Sequence, residues 1–320
     1  MKNFYSNINK SKKILNDGKV IAIPTETVYG LAGNAYSDLA VKRIFKLKNR
    51  PYKNPLIVHY FNVKNLRKDC ETNKMFDILY NKFCPGPITF VLNKKNNSKI
   101  SKYVTSNKKT VAVRFPNNKI ARTLLSRLNF PLAAPSANIS SKLSPTCSKD
   151  VKEEFGKKIK FILDGGSCKI GLESTIIDLT GKPSILRPGS ITLERIRKVL
   201  KKKVGIKKTS KKIKSPGQLK FHYYPGIPVK MNKKYPEKNQ ALIGFGKKFK
   251  TGKNRFNLSK NGNLKEAANN LYKTMRLIKK RNFKSIAITK IPTTDIGYAI
   301  NDRLKKASNK WTSQQSKLPI

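Results

Sequence analysis

Lys48 and Arg50 sit in one turn of "KNRPYKNPLIVHY", with Lys53, Asn54 and His59 close behind. A point charge beside a planar guanidinium fork at a strand mouth is equipment for holding phosphate. A solvated basic turn is the plainer alternative. In "PLAAPSANISSKLSPT", Ser136, Asn138, Ser140, Ser141, Ser144 and Thr146 follow a short apolar strand. Small hydroxyls and an amide there can hydrogen-bond ribose or phosphate oxygens, although ordinary loops share this composition. Arg114 closes the apolar run "VAVRFP", where its fork can clamp a carboxylate. "DGGSCKIGLESTIIDLTGKPSILRPG" places two glycines, which allow close backbone approach, ahead of Glu173, Ser174 and Thr175, and ends in Arg187. "PTETVYGLAGNA", residues 24–35, sets a nearly charge-free polar cluster against an apolar strand. Both histidines of the chain, His59 and His222, fall inside such segments.

These groups need a frame. Period-two or continuous apolar runs predict strands near 19–24, 55–60, 87–93, 110–115, 131–134, 160–164, 174–179 and 184–187. Helical spacing predicts helices over 8–17, 38–48, 72–82, 118–128, 148–155 and 192–201. Gly18 suits the position just after the first helix. Ser37 and Thr192 can cap later ones, with Glu194 in the last helix's first turn. Strands alternating with helices, some strands directly adjacent, imply an α/β fold on a partly antiparallel sheet. Residues 201–220 hold nine lysines and no acid. Such a segment cannot pack a core and reads as a linker. Beyond it, "KFHYYPGIPV" is aromatic and proline-rich. A smaller α/β unit follows from about 229, with strands over 241–245 and 285–290. Leu264, Ala268, Leu271, Met275 and Ile278 share one helix face, and a last helix covers 295–308.

The chain has 320 residues, enough for two domains with a sizeable core. Its 70 lysines and arginines against 17 acids give a net charge of +53. A polyanion such as RNA is one reading of that excess; lysine drift on solvated faces is the other. The four cysteines are dispersed without a C-x-x-C pair, which excludes a zinc ribbon and a disulfide framework and suits a reduced cytoplasm. No apolar leader opens the chain, and no run reaches the ~20 residues of a membrane span. A P-loop and metal-ligand spacing are both absent.

Taken in order, "PTETVYGLAGNA", "KNRPYKNPLIVHY", "CPGPITFVL", "TVAVRFP", "AAPSANISSKLSPT", "DGG", "ESTIIDL" and "LRPGSIT" resemble the threonylcarbamoyl-AMP synthase family over residues 8–200. "SPGQLKFHYYPGIPV" and "DIGYAINDRLKKAS" resemble the linker and C-terminal domain of its long form. The resemblance implies an open, twisted mixed sheet with helices around a large basic cavity. It divides the chain into a catalytic domain (1–200), a basic and aromatic linker able to act as a lid (201–228) and a small α/β domain (229–320). It implies a transferase, specifically a nucleotidyltransferase. L-threonine, bicarbonate and ATP would give threonylcarbamoyl-AMP and pyrophosphate, feeding N6-threonylcarbamoyladenosine at position 37 of tRNA. Mg2+ would arrive bound to ATP, with no organic cofactor. A threonylcarbamoyl transferase complex is the implied partner, and tRNA itself a candidate one.

The family's roles carry over by position. Lys48, Arg50, Ser136 and Asn138 would hold the phosphates and the reacting carboxyl group. Thr27, His59, Arg114, Ala134 and Ser174 would contact threonine. Arg50, Asn54, Thr110, Ser136, Ser144 and Arg187 would contact ATP. Lys220 stands where the family linker carries a tyrosine that reaches the nucleotide. Phe221 or Tyr223 could replace that tyrosine, or Lys220 could grip phosphate. A reading of another class is a non-catalytic RNA-binding or carrier module on the same fold.

Overall fold

The computed structural model describes residues 2–207, 214–218 and 221–309. Nine strands form one mixed sheet: β1 (Ile21–Ile23), β2 (Gly30–Asn34), β3 (Ile57–His59), β4 (Ile88–Asn93), β5 (Thr110–Arg114), β6 (Leu132–Ala133), β7 (Thr175–Asp178), β8 (Ser184–Arg187) and β9 (Gly205–Ile206). Their order is β1-β2-β6-β3-β5-β4-β7-β8-β9. Pairings β3–β5, β4–β7 and β8–β9 are parallel and the other five antiparallel. A second sheet, β10 (Val229–Met231), β11 (Gln240–Gly244), β12 (Arg255–Asn257) and β13 (Ser285–Ile288), is wholly parallel in the order β10-β13-β11-β12. The α/β architecture with a mixed main sheet and a smaller second sheet is as the sequence implied.

The helices are α1 (Lys2–Asn16), α2 (Asp38–Lys48), α3 (Val63–Asp69), α4 (Lys74–Phe83), α5 (Lys102–Thr105), α6 (Lys119–Leu125), α7 (Ser148–Phe155), α8 (Leu193–Leu200), α9 (Leu264–Lys280) and α10 (Gly297–Ser308). Ser37 accepts the Ala40 N–H and Thr192 that of Arg195, so both expected caps form. Gly18 follows α1 at φ +65°, the left-handed conformation a terminating glycine supplies. Helix α2 buries Ala40, Val41, Ile44, Phe45 and Lys48. That is a helical stripe with a single charge at its end, so the periodicity that packs α2 also carries Lys48 inward. Helix α10 repeats the pattern, burying Ala299, Ile300, Arg303, Leu304 and Ala307.

Three expectations change. The start of the basic segment 201–220 does not stand apart from the core as a linker: Val204 is buried in the main core and Gly205–Ile206 pair with β8, because an apolar Val-Gly-Ile interrupts the lysines. Residues 160–164 form no strand of their own: they pair with β1 through a single bridge at Ile162. Strand β2 was not anticipated, because "GLAGN" carries two glycines and little β propensity. Pairing with β1 and β6 on its two sides holds it in place. The core around the second sheet includes Val28, Leu143 and Leu172 from loops of the main-sheet unit, so the two units share packing. Among the described residues no helix is long and apolar enough to cross a membrane.

Candidate active site

One row of residues crosses the main sheet. His59 on β3 is in register with Arg114 on β5, Arg114 with Thr89 on β4, Thr89 with Ile176 on β7, and Ile176 with Arg187 on β8. Register partners lie side by side, and strands stand about 4.8 Å apart. A polar residue at one position of four of these five strands therefore becomes a polar strip, interrupted only by Ile176 on β7. His59, Arg114 and Arg187 from that strip line a cavity, with Arg50, Ser136 and Ala134 on its other walls.

The cations are held by the backbone. Arg50 donates through Nε to Asn54 O (2.9 Å) and through Nη2 to Pro55 O (2.9 Å). Arg187 donates through Nε to Ser174 O (3.0 Å) and through Nη2 to Ser174 Oγ (3.1 Å). Ser174 Oγ also pairs with Thr89 Oγ1 at 2.7 Å. Burial, then the charge of Arg187, pushes the Arg50 pKa down, and burial does the same to Arg187. A guanidinium keeps its proton through such shifts. Lys48 lies beneath the wall: Nζ donates to Ser136 O at 2.6 Å and to Asn138 O. Burial and the nearby Arg50 pull its pKa well below the ordinary lysine value.

The polar cluster after β1 is an internally bonded loop. Thr25 Oγ1 accepts from the N–H groups of Thr27 (3.1 Å) and Val28 (3.2 Å), and it lies 2.9 Å from Thr27 Oγ1. Glu26 accepts from Arg114 Nη2 at 2.7 Å and from the Asn117 N–H at 3.0 Å. The buried Glu26–Arg114 pair fixes the arginine from one side. Among the described residues neither Arg114 Nε nor His59 Nδ1 has a hydrogen-bond partner. Burial, aided by the charge on Arg114, holds the His59 imidazole down to about 3, so it is neutral. Buried polar atoms without partners are uncommon. Here two of them, on neighbouring strands, belong to side chains in one cavity wall.

Pro216, His222 and Tyr223 of the linker complete that wall. His222 and Tyr223 stack at 4.1 Å, and the Tyr223 hydroxyl is buried without a partner among the described residues. The linker is pinned by Tyr224 N–H to Ser141 O (2.8 Å) and by Lys306 Nζ to Gly217 O (2.9 Å). Gly217 adopts φ +85°, and a Cβ there would stand 2.6 Å from Arg187 Cδ. Gly217→Ala therefore meets both a left-handed backbone, at about 1–2 kcal/mol, and the flank of a cavity arginine. We expect a melting temperature lower by a few degrees and a raised KM for the ligand that Arg187 contacts. Unchanged kinetics in this variant would disprove contact between linker and site.

Of the residues singled out from sequence, Arg50, His59, Arg114, Ala134, Ser136 and Arg187 meet at the cavity. Thr27 is buried behind Thr25, which takes the lining position. Lys48, Asn138, Ser144 and Ser174 stand one layer back. Asn138 Nδ2 donates to Ile139 O and Lys142 O, and Ser144 Oγ donates to Glu173 Oε1. Asn54 offers its carbonyl to Arg50, and its Oδ1 has no partner among the described residues. Thr110 begins the strand that Arg114 ends and is not in the cavity wall. Phe221 packs against Tyr224 rather than lining the cavity, and Lys220 lies outside the described residues. Glu173 and Pro216 line the cavity without having been assigned a role. Glu173 belongs to the cluster singled out after the glycine-rich turn, whereas nothing in the local pattern marks Pro216.

Comparison with known proteins gives a consistent result. The profile of the Sua5, YciO and YrdC family, described as telomere recombination, matches residues 13–189. One described as the threonylcarbamoyl-AMP synthase C-terminal domain matches residues 191–309. A threonylcarbamoyl-AMP synthase of Pyrococcus abyssi is 38% identical over 92% of this chain and 92% of its own. One of Bacillus subtilis is 34% identical over 94% and 92%. The crystal structure of P. abyssi Sua5 complexed with L-threonine superposes with a TM-score of 0.87 at 36% identity, covering 94% of each chain.

Proposed function

The chain belongs to the threonylcarbamoyl-AMP synthase family, and from that premise we propose that it condenses L-threonine, bicarbonate and ATP into threonylcarbamoyl-AMP, releasing pyrophosphate. The observation that carries this reading is the pair of unpartnered buried atoms, Arg114 Nε and His59 Nδ1, in a cavity that also holds Arg50 and Arg187. Unsatisfied hydrogen-bonding groups beside fixed cations suit a small zwitterion bound next to a polyphosphate. A solved relative is described as complexed with L-threonine, which supports the same assignment.

In this reading Arg114, steadied by Glu26, takes the threonine carboxylate. Thr25, the neutral His59 and the strand end at Ala134 surround the side chain. Demanding a hydrogen bond from the hydroxyl rejects valine, because a buried partner would be left unpaired. Arg50 and Arg187 take the phosphates. Lys48 acts on the loop that presents Ser136 and Asn138. The threonine nitrogen forms a bond to the carbon supplied by bicarbonate, with loss of water. A carbamate oxygen then attacks the α-phosphorus, and the bond to the β-phosphate oxygen breaks, so pyrophosphate leaves. No protein nucleophile is needed; the work is positioning and charge stabilisation. Mg2+ enters with ATP. Glu26 and Glu173 already face Arg114 and Arg303 across short ion pairs. The linker wall at Pro216, His222 and Tyr223 serves as a lid that keeps water from the carbamate. The product would feed tRNA modification in the cytoplasm through a transferase complex.

Pyrophosphate release from ATP tests this directly. It should require threonine and bicarbonate, fall strongly in Ser136→Ala, and be weakly supported by valine. Release that ignores threonine removes the synthase reading. Tight tRNA binding that survives Ser136→Ala, without turnover, would favour a binding module instead.

A further inference from the structure

The C-terminal unit reaches the cavity wall from behind. Arg303 lies on the buried stripe of α10, and its side chain is fully enclosed. Its Nε donates to Glu173 Oε2 at 2.9 Å and its Nη1 to Asp302 Oδ2 at 2.7 Å. The guanidinium stands 5.1 Å from the centre of the Tyr223 ring, within cation–π range. Glu173 also accepts from Tyr272 of α9 and from Ser144. One turn further along α10, Lys306 binds Gly217 O, and its own carbonyl accepts the His222 N–H at 3.4 Å. A single helix face therefore holds both the carboxylate in the cavity wall and the linker that closes the cavity.

A buried carboxylate is out of place in a pocket lined by arginines for a polyanion, because it competes with the ligand for them. Glu173 immediately precedes Ser174, whose carbonyl and hydroxyl seat Arg187. After Arg303, Arg187 is the next cation acting on Glu173. Removing one member of a buried pair forces the other to find a new partner or remain unpaired. The cation left to Glu173 in the same cavity wall is Arg187.

We propose that Arg303 is a positioning residue for the reaction: it neutralises Glu173 from the side away from the cavity, which leaves Arg187 to the nucleotide, and it backs Tyr223 in the closing linker. The C-terminal unit thereby sets the affinity for ATP without touching it. This rests on reading the cavity as an ATP site.

Steady-state kinetics of pyrophosphate release in the full chain separate this role from a structural one. Arg303→Met should raise KM for ATP at least tenfold and leave KM for threonine within twofold. Adding Glu173→Gln removes the competing charge and should lower the ATP KM at least threefold from the single variant. A purely structural Arg303 would change the melting temperature and the active fraction but neither of these ratios. An ATP KM unchanged in Arg303→Met, or one that rises together with the threonine KM, overturns the proposal, as does failure of the second substitution to rescue. Should Arg303→Met not fold, Arg303→Lys takes its place. It keeps the charge but loses the flat face, and an ATP-selective rise of about threefold is expected; a rise shared by both substrates, or none, overturns the proposal. Wild-type protein that releases no pyrophosphate with threonine removes the ATP-site reading itself. Wild-type turnover with an insensitive Arg303 removes only the latch.

Discussion

Arg50→Ala is expected to lower kcat/KM for threonine-dependent pyrophosphate release by about 10²–10³, the usual loss when one preorganised donor is removed from a developing charge. Two donors of the guanidinium are fixed on the carbonyls of Asn54 and Pro55, so the group does not reorganise when ligand arrives. Fold stability should change less. The two carbonyls lose a donor, at about 1–3 kcal/mol, while Lys48 and Arg187 are relieved of a neighbouring like charge. Arg50→Lys should rescue little, because an ammonium cannot span two carbonyls and a phosphate with a planar fork. Circular dichroism melts alongside the kinetics separate the two effects. A kcat/KM within tenfold of wild type in a folded Arg50→Ala protein would place the phosphates elsewhere.

The sequence revealed those parts of the site that sit at ends of regular elements. Arg114 and His59 close apolar strands, so strand pattern alone put them at a sheet margin. Register then aligned them with Arg187, across five strands. Parallel and antiparallel neighbours cannot be ordered from local pattern, so that alignment was invisible. The polar cluster within residues 24–35 carries Thr27, which the resemblance assigns to threonine. In the folded chain much of its hydrogen bonding is internal, and its one carboxylate anchors Arg114. Only a tertiary contact distinguishes those roles. Glu173 and Arg303 are 130 residues apart in the chain and meet in the core. One clue was present: a single arginine on the apolar stripe of the last helix, as Lys48 is on that of α2. A charge at such a position needs a buried partner.

The lysine excess did not locate the site. Its wall cations are the arginines Arg50, Arg114 and Arg187, with Lys48 underneath. A guanidinium can stay charged while two of its donors are fixed on the backbone, and that suits a buried anion site better than a mobile ammonium. The cavity would be basic even in a chain of ordinary net charge, so the +53 bears on the surface rather than on the chemistry.

Acid should destabilise this protein well before its carboxylates titrate. Burial, with the charge on Arg114 adding to it, holds His59 at about 3; burial also holds His222 at about 3, against Glu173 and with Arg50, Lys306 and Lys48 nearby. An unfolded histidine titrates near 6.5. Below that pH the unfolded chain takes up protons that the folded chain refuses, so stability is complete above pH 6.5 and falls as the pH drops toward 3. Each histidine contributes about 1.4 kcal/mol per pH unit, or about 2 kcal/mol at pH 5 and about 4 kcal/mol for the pair. For a chain of this size that corresponds to a melting temperature about 6 °C lower at pH 5 than at pH 7.5. Glu173 acts in a separate window. Burial alone would raise its pKa, but Arg303 and then Arg187 hold it at about 2, so its contribution is lost only between about pH 4.5 and 2. His222 Nδ1 accepts the Tyr223 N–H at 2.9 Å, and protonating that nitrogen breaks the bond that sets the linker turn. His222→Asn should therefore remove about half of the drop between pH 7.5 and pH 5, and His59→Asn the rest. Thermal melts of the three proteins at the two pH values decide the matter: equal melting temperatures for wild type at both would show that neither imidazole is held neutral by burial.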